Sequence, residues 1–272
     1  PHVRDKERFV RLYYEVGLRE FRRHLTYRMA TIAGLFTNTV FALIFSAVYT
    51  ALYRDTGGQR EVAGFTEADA LAYVWITQAL IMVVALWGTW DIALGVRGGD
   101  IYADLFKPFN YFGYWLSRDL GRASYFTVSR FIPTIMVGAW LFDLALPASV
   151  LHWAGFLLTM AMGVVVSFAI RFIVNLSTFW LTDVQGVRML QLSVWSFLSG
   201  FLVPLNFLPT GLRQIAEALP FRTMMMVPVN VLLGHQAVVS ALGLQTLWAI
   251  VLSASGLALL RLAMRKVVIQ GG

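Results

Sequence analysis

The stretch that decides the fold is "MATIAGLFTNTVFALIFSAVYTALY", which runs from Met29 to Tyr53 without a charged residue. A helix needs about 20 mostly apolar residues to cross roughly 30 Å of bilayer hydrocarbon, and this stretch is long enough. The whole chain has a similar character, because its 272 residues are 58% hydrophobic and only 14% charged. Soluble domains carry about 25% charged residues. The composition therefore predicts an all-α membrane protein.

Further apolar runs follow, separated by short charged segments. They predict six transmembrane helices at about 29–53, 70–90, 123–142, 150–170, 189–208 and 241–260. Residues 1–28 are expected to form a separate amphipathic helix at the membrane interface, and residues 29–272 a six-span domain.

The distribution of basic residues predicts the orientation of these spans. Of the 22 Lys and Arg residues, 17 lie on one side of the six-span arrangement and four on the other. Loops rich in Lys and Arg stay in the cytoplasm. Both termini are therefore expected to be cytoplasmic, in a multi-pass protein of the inner (cytoplasmic) membrane. Topology also accounts for the net charge of +7, so no nucleic-acid partner is predicted.

The N-terminal segment has a helical pattern of its own. Phe9, Tyr13 and Val16 fall on one face at 100° per residue, while Arg8 and Arg11 fall on the opposite face. Basic amphipathic helices of this kind lie in the headgroup plane and contact membrane lipid. A solvated leader to the first span remains the alternative.

Prolines interrupt the chain between the fifth and sixth spans. Each of them breaks a helical hydrogen-bond ladder, and irregular backbone at membrane depth persists only where protein or a wet cavity covers it. Residues 204–235 are therefore expected to form a broken-helix cap rather than a seventh span. The residues that define this cap are Pro204, Pro209, Leu219, Pro220, Phe221, Pro228 and Gly234.

A charged interruption separates the second and third spans. A helical wheel over residues 100–107 puts Ile101 and Leu105 on an apolar side, and the polar side carries the charges. A proline ends the segment. Such a cytoplasmic helix suits contact with a soluble partner, and a plain interfacial helix that touches only lipid fits the pattern equally well. The residues concerned are Asp100, Ile101, Asp104, Leu105, Lys107 and Pro108.

Several kinds of chemistry have no residues to carry them. The chain has no cysteine, its four histidines are scattered, and a phosphate-binding loop of the G-x-x-x-x-G-K-[ST] type is absent. No catalytic residue, metal ligand or cofactor site is therefore predicted in this chain. Arg130 is the one charge inside the expected spans; it either contacts an anionic substrate or bonds to a neighbouring helix.

A substrate pathway is expected between the second and fifth spans. Aromatic and amide side chains share one face of each span, and such mixed surfaces suit amphipathic substrates. Ordinary helix packing is the alternative. The pathway residues are Tyr73, Thr77, Trp87, Gln191 and Trp195, together with Arg130.

Three stretches resemble a known family: "GDIYADLFKPFNYFGYWLSRDLGR" (99–122), "FLSGFLVPLNFLPTGLRQIAEALPF" (197–221) followed by "VPVNVLLG" (227–234), and the C-terminal "RKVVIQGG" (265–272). Over nearly its full length the chain resembles permease subunits of type-2 ABC exporters, in particular the six-span subfamily that includes viologen-exporter-like systems.

The resemblance implies a second permease subunit, identical or related, and an ABC ATPase subunit that binds ATP and Mg. It places the coupling helix, which meets the ATPase, on Asp100 to Pro108, and an outer re-entrant cap on Pro209 to Gly234. The expected substrate is amphipathic or hydrophobic: a drug-like cation, a lipid or a natural product. An ion-coupled secondary transporter, an integral membrane enzyme and a scaffold without transport are the rival functions.

Overall fold

A computed structural model describes residues 2–55, 61–99, 101, 107, 109–181 and 184–270, with side chains described over 10–55, 61–99, 101, 107, 109–181 and 185–265. The described chain is helical and contains no strand. This agrees with the predicted all-α class. Four of the six coupling residues, Asp100, Asp104, Leu105 and Pro108, lie outside the described residues.

The helices follow one another with few long connections. In chain order they are α1 (His2–Leu25), α2 (Arg28–Asp55), α3 (Glu67–Leu80), α4 (Asp91–Gly98), α5 (Tyr111–Phe126), α6 (Ile132–Leu141), α7 (Val150–Leu176), α8 (Val184–Leu198), α9 (Thr210–Ala218), α10 (Met226–Leu232) and α11 (Val238–Gln270). Three of these segments are long and apolar enough to cross a membrane: Arg28–Asp55, Val150–Phe179 and Val238–Arg265.

Helix α3 lies at the centre of the bundle. Every residue from Ala70 to Leu80 is buried. Two hydrogen bonds join α3 to α2: the Trp75 indole donates to the Ser46 hydroxyl at 3.1 Å, and the Asn38 amide donates to the Gln78 carbonyl at 3.0 Å. Polar side chains inside an apolar core are tolerated because they are paired in this way.

The second apolar run differs from the expected span at 70–90. Its helix ends at Leu80, and residues 81–90 form turns and irregular backbone before α4 begins. Ala85 has φ +50° and Gly88 has φ +83°, values that a regular right-handed helix excludes. No proline marks this break, and its cause lies in the side chains that surround it.

The helical segment at the expected third span is longer than its apolar run. Helix α5 begins at Tyr111, well before the expected start at residue 123, and a π-helical turn at Thr127–Phe131 joins it to α6. The Asn110 side chain caps α5 by accepting from the Gly113 amide at 2.8 Å. The longer helix brings Asp119 and Arg122 into the packed bundle.

Two ends of the bundle can be told apart by their contacts. At one end, called the α1 end here, α1 packs on α5, and α4 packs on the last turns of α7. At the other, called the far end, the α2–α3 loop meets the region between α8 and α11: the Asn206 amide donates to the Ala63 carbonyl at 3.2 Å.

The proline-rich region is built from short pieces, as its sequence predicts. Helices α9 and α10 and two 3-10 turns, Leu205–Phe207 and Pro220–Met224, follow one another, and Gly234 turns the chain at φ +79°. Its position outside the membrane core stays a prediction. Helix α8 ends at Leu198 rather than near residue 208, and α11 extends beyond the expected 241–260 at both ends.

Candidate functional site

A buried carboxylate joins two helices near the α1 end. Asp119 on α5 accepts from the Arg122 Nε at 2.8 Å, and from Arg171 on α7 through Nη1 at 3.0 Å and Nη2 at 2.6 Å. All three side chains are less than a tenth exposed. A bidentate pair of this kind fixes the relative orientation of the two helices. These three residues are called the Asp119 clamp.

The clamp also holds the broken backbone that follows α3. Arg122 donates to the Met82 carbonyl and, at 2.9 Å, to the Val83 carbonyl, and the Ser167 hydroxyl donates to the Val84 carbonyl. These carbonyl groups would accept helical hydrogen bonds if α3 continued. Because side chains satisfy them instead, the irregular segment avoids the cost of unpaired buried backbone.

Helix α7 binds the other end of the broken segment. Arg171 donates to the Thr89 hydroxyl at 3.1 Å, and the Asn175 amide donates to the Thr89 carbonyl at 2.8 Å. The Asn175 side-chain oxygen accepts from the Ala93 amide in α4 at 3.0 Å. Residues 82–93 are thus tied to α5 and α7 by side chains at both ends.

The Asp119 clamp has a structural role, because its charged groups bond to one another and to the backbone. Two guanidinium groups share one carboxylate, so the cluster carries a net positive charge, and both Asp119 oxygens are occupied. The adjoining cavity, lined in part by Glu20 and Asp91, holds about 30 Å³, which is room for a water molecule. Within the described part of the chain no group of three or more His, Asp and Glu side chains is placed to bind a metal.

Sequence reasoning missed this cluster as a site. Asp119 and Arg122 come before the expected third span at 123–142, and Arg171 comes directly after the expected fourth span at 150–170, so no expected span contains them. The available signal was spacing, because Asp119 and Arg122 are three residues apart, and Arg171 and Asn175 four, which puts each pair on one helix face.

Helix α1 docks on α5 beside the clamp. A methyl group at Gly121 would overlap the Gly17 backbone, so the two helices approach closely at these glycines. Glu20 accepts from Arg118 at 3.0 Å, and the His24 ring stacks on Tyr125 with centroids 5.4 Å apart. The structure has a helix over His2–Leu25, and the assignment of residues 1–28 to an interfacial helix stays a prediction.

Two pKa shifts reflect this docking. Burial lowers the pKa of His24, since the charged imidazolium loses hydration between α1 and α5. Burial alone would also lower the pKa of Arg118, but the hydrogen bond and the charge of Glu20 outweigh it, and the pKa of Arg118 is raised. The Arg118 guanidinium is therefore held in its charged form beside Glu20.

The coupling segment touches the bundle through Ile101, which is 1% exposed. Its cluster contains Ile92 of α4, Tyr111 of α5 and Phe172 of α7. Lys107, the other described coupling residue, is exposed and makes an interaction of its own. Contact of either residue with an ATPase stays a prediction.

Arg130 lies between α5 and α2. Its Nη2 donates to the Ala30 carbonyl at 3.1 Å, and its guanidinium carbon stands 5.4 Å from the centroid of the Phe126 ring. A methyl group at Gly34 would overlap the guanidinium, so the guanidinium packs directly against this glycine. The arginine therefore bonds to a neighbouring helix; its contact with a substrate stays a prediction.

The other pathway residues are packed in different ways. The Tyr73 hydroxyl donates to the Gly200 carbonyl at 2.7 Å, and the Thr77 hydroxyl bonds to the preceding turn of α3. Trp195 is buried and Trp87 is exposed. The structure brings Gln191 against Gly88 of the broken segment, but nothing in this packing tests a role in transport.

The predicted cap residues belong to successive short pieces between α8 and α11. Pro204, Pro209 and Leu219 each precede a short helical piece, and Pro220 begins one. Phe221 packs on Trp195 with ring centroids 6.2 Å apart. Pro228 is buried within α10, and Gly234 follows that helix with its left-handed φ.

Comparisons with known proteins give the family. A family model described as ABC-2 family transporter protein matches residues 35–271. A comparison with curated proteins and one with solved structures each found no match. The matched range includes the broken segment after α3, the clamp, the coupling segment and the cap region. The chain therefore belongs to the ABC-2 family and is the membrane permease subunit of an ABC transporter.

Proposed function

We propose that this chain is one of two permease subunits, identical or related, of an ATP-driven exporter that moves an amphipathic or hydrophobic substrate outward across the inner membrane. The substrate is a drug-like cation, a lipid or a natural product. A separate ABC ATPase binds ATP and Mg and supplies the energy. Membership of the ABC-2 family supports the permease role, and the packing at the α1 end supports the coupling route.

The observation that carries the coupling route is the burial of Ile101. A side chain that is 1% exposed and packs among three helices is an anchor for its segment. Force applied to residues 100–108 therefore acts directly on α4, α5 and α7. The same helices hold the Asp119 clamp, so a displacement at Ile101 reaches the broken backbone after α3 through packed side chains.

The experiment that tests this route reverses a charge on the polar side of the segment. Asp104→Lys leaves the apolar anchor unchanged, and like-charge mismatch at an interface costs several kcal/mol. We expect the ATPase to co-purify less with this variant and transport-linked ATP hydrolysis to fall. Glu217→Lys is the matched control, because Glu217 lies in α9 at the far end. Unchanged association and transport for Asp104→Lys and for the double variant with Asp100→Lys would refute the route.

The proposal includes six spans with both termini in the cytoplasm. The 17-to-4 distribution of basic residues supports it. Reporter fusions at Gln59 and Gly272 test it: the first should report the outside and the second the cytoplasm. A cytoplasmic signal at Gln59 would contradict the topology.

The region from Pro209 to Gly234 is proposed to be an outer cap that does not cross the membrane. Its short helices and prolines support this, because none of the pieces is long enough to span. A single cysteine at Gln214, in a chain without other cysteines, should react with an impermeant thiol reagent from outside. Labelling only from the cytoplasmic side would exclude an outer cap.

A further inference from the structure

Among the described residues, the segment of α4 itself provides no side-chain cap for the beginning of that helix. Helix α4 is eight residues long, and helices this short are marginal in isolation. Trp90 occupies the N-cap position, where Ser, Thr, Asn or Asp normally accepts a hydrogen bond from the first free N–H groups. An indole donates a hydrogen bond but accepts none. The stability of α4 must therefore come from other parts of the bundle.

Asn175 on α7 provides the missing cap from a different helix. Its side-chain oxygen accepts from the Ala93 N–H, in the first turn of α4, at 3.0 Å. Its amide nitrogen donates to the Thr89 carbonyl and to the Arg171 carbonyl of its own helix, both at 2.8 Å. Because Asn175 is 2% exposed, these bonds form where water does not compete for them. One side chain thus fixes both the beginning of α4 and the end of the broken segment.

The apolar side of α4 packs on the same part of α7. Ile92 of α4 belongs to a buried cluster with Ile101 of the coupling segment and with Phe172 and Leu176 of α7. These two α7 residues lie within one turn of Asn175, so the polar cap and the apolar contact are adjacent. Along the chain, in contrast, irregular backbone joins α4 to α3. Helix α4 is therefore held sideways by α7.

We propose that Asn175 is a positioning residue for energy transmission, which joins α4 and the coupling segment to α7 so that they move as one body. Because the coupling segment follows α4 directly in the chain, a displacement of this segment is passed to α7. The link to energy transmission rests on the proposed function. The attachment of α4 to α7 does not, and it is measured on the chain alone.

Distances between spin labels test the attachment. In a chain without cysteine, L94C and L158C place one label on an exposed position of α4 and one on an exposed position of α7. Leu158 lies about 25 Å from Asn175 along the axis of α7, a span that suits double electron–electron resonance. In nanodiscs this pair should give one narrow distance distribution. N175A should make the distribution at least about twofold broader, because α4 loses its cap and opens locally.

Two controls separate this effect from general destabilisation. N110A removes a cap of the same residue type from α5, where Asn110 accepts from the Gly113 N–H, and should leave the L94C/L158C distribution narrow. The pair L120C/L158C reports the position of α5 relative to α7, which the Asp119 clamp joins. This second distribution should stay narrow in N175A.

A variant on the donor side keeps the test decisive if N175A does not accumulate. A93P removes the same hydrogen bond, at a position in the first turn where the N–H has no acceptor within α4. It should broaden the L94C/L158C distribution as N175A does. A narrow distribution in N175A, or in A93P where N175A does not accumulate, would overturn the proposal. Equal broadening in N110A would overturn it as well.

The joint movement is tested in the complex with the ATPase. After trapping with ATP and vanadate, the L94C/L158C distance should be unchanged in the chain that retains Asn175. A change of one helical turn, about 5 Å, would show that α4 moves without α7 and would overturn the proposal. A chain that forms no complex with an ABC ATPase would contradict the proposed function, whereas the measurement on the chain alone would still decide the role of Asn175.

Discussion

Replacement of Asp119 by asparagine tests whether the clamp holds the bundle together. The carboxylate neutralises two guanidinium groups, at 2.8 Å from Arg122 and 2.6 Å from Arg171. Asn keeps the shape and one acceptor but removes the charge. Both arginines would then remain buried without a counter-ion, and the hydrogen bonds that Arg122 makes to the backbone after α3 would lose their fixed geometry.

The expected cost is large because every partner is buried. Removing one member of a buried ion pair typically destabilises a protein by about 3–5 kcal/mol, since the remaining charge is left uncompensated. For a chain of this size each kcal/mol lowers Tm by roughly 2–4 °C. We therefore expect Asp119→Asn to lower Tm by roughly 10 °C in detergent or nanodiscs.

Two comparisons separate charge from packing in this measurement. Glu217→Gln removes a partly exposed ion-pair partner of Arg213, 2.7 Å away, and should change stability by less than about 1 kcal/mol. The double variant Asp119→Asn with Arg171→Gln restores the net charge of the cluster and should recover part of the loss. A Tm of Asp119→Asn within about 2 °C of wild type would show that the clamp does not stabilise the fold.

Three further predictions concern the α1 end. Burial lowers the pKa of His24 below its unfolded value of 6.5, so folding favours the neutral ring. Tm should therefore fall as the pH drops below about 6.5, and it should fall less in the His24→Gln variant. Gly121→Ala should separate α1 from α5 at Gly17 and lower the free energy of unfolding by about 1–3 kcal/mol, which would be measured as faster proteolysis of α1. The control Gly95→Ala adds a methyl group that meets nothing within 4 Å, so it should leave stability and proteolysis unchanged. Ile101→Ala should cost about 2–5 kcal/mol in thermal unfolding, because it empties a buried position between three helices.

The helical class could be predicted because it depends on composition and run length alone. In hydrocarbon, an isolated segment such as residues 29–53 can satisfy all its backbone hydrogen bonds only as a helix. Helix α2 matches the bounds of this uncharged run closely. The proline-rich region between α8 and α11 could be predicted for a similarly local reason, since proline removes a helical donor wherever it stands.

The break after Leu80 could not be predicted from its own residues. Nothing from Ile81 to Trp87 disfavours a helix strongly, and the run is apolar enough to continue one. The donors that replace the helical hydrogen bonds come from Arg122 and Ser167, which lie far away in sequence. Tertiary hydrogen bonds therefore override the local helix propensity of this segment. A single sequence does not show which residues far apart in the chain are in contact.

The break separates α3 from α4. If the helix continued from α3 into α4, a displacement at Ile101 would push α3 along its axis. Because residues 81–90 are irregular, α4 is instead bonded to α7, through Asn175 and Ala93, and packs on α5 and α7 through Ile101. The backbone that follows α3 meets this unit through carbonyl groups that Arg122 and Ser167 hold. The Asp119 clamp is therefore the point at which motion of the α1 end either reaches the central helix or is absorbed by the broken segment.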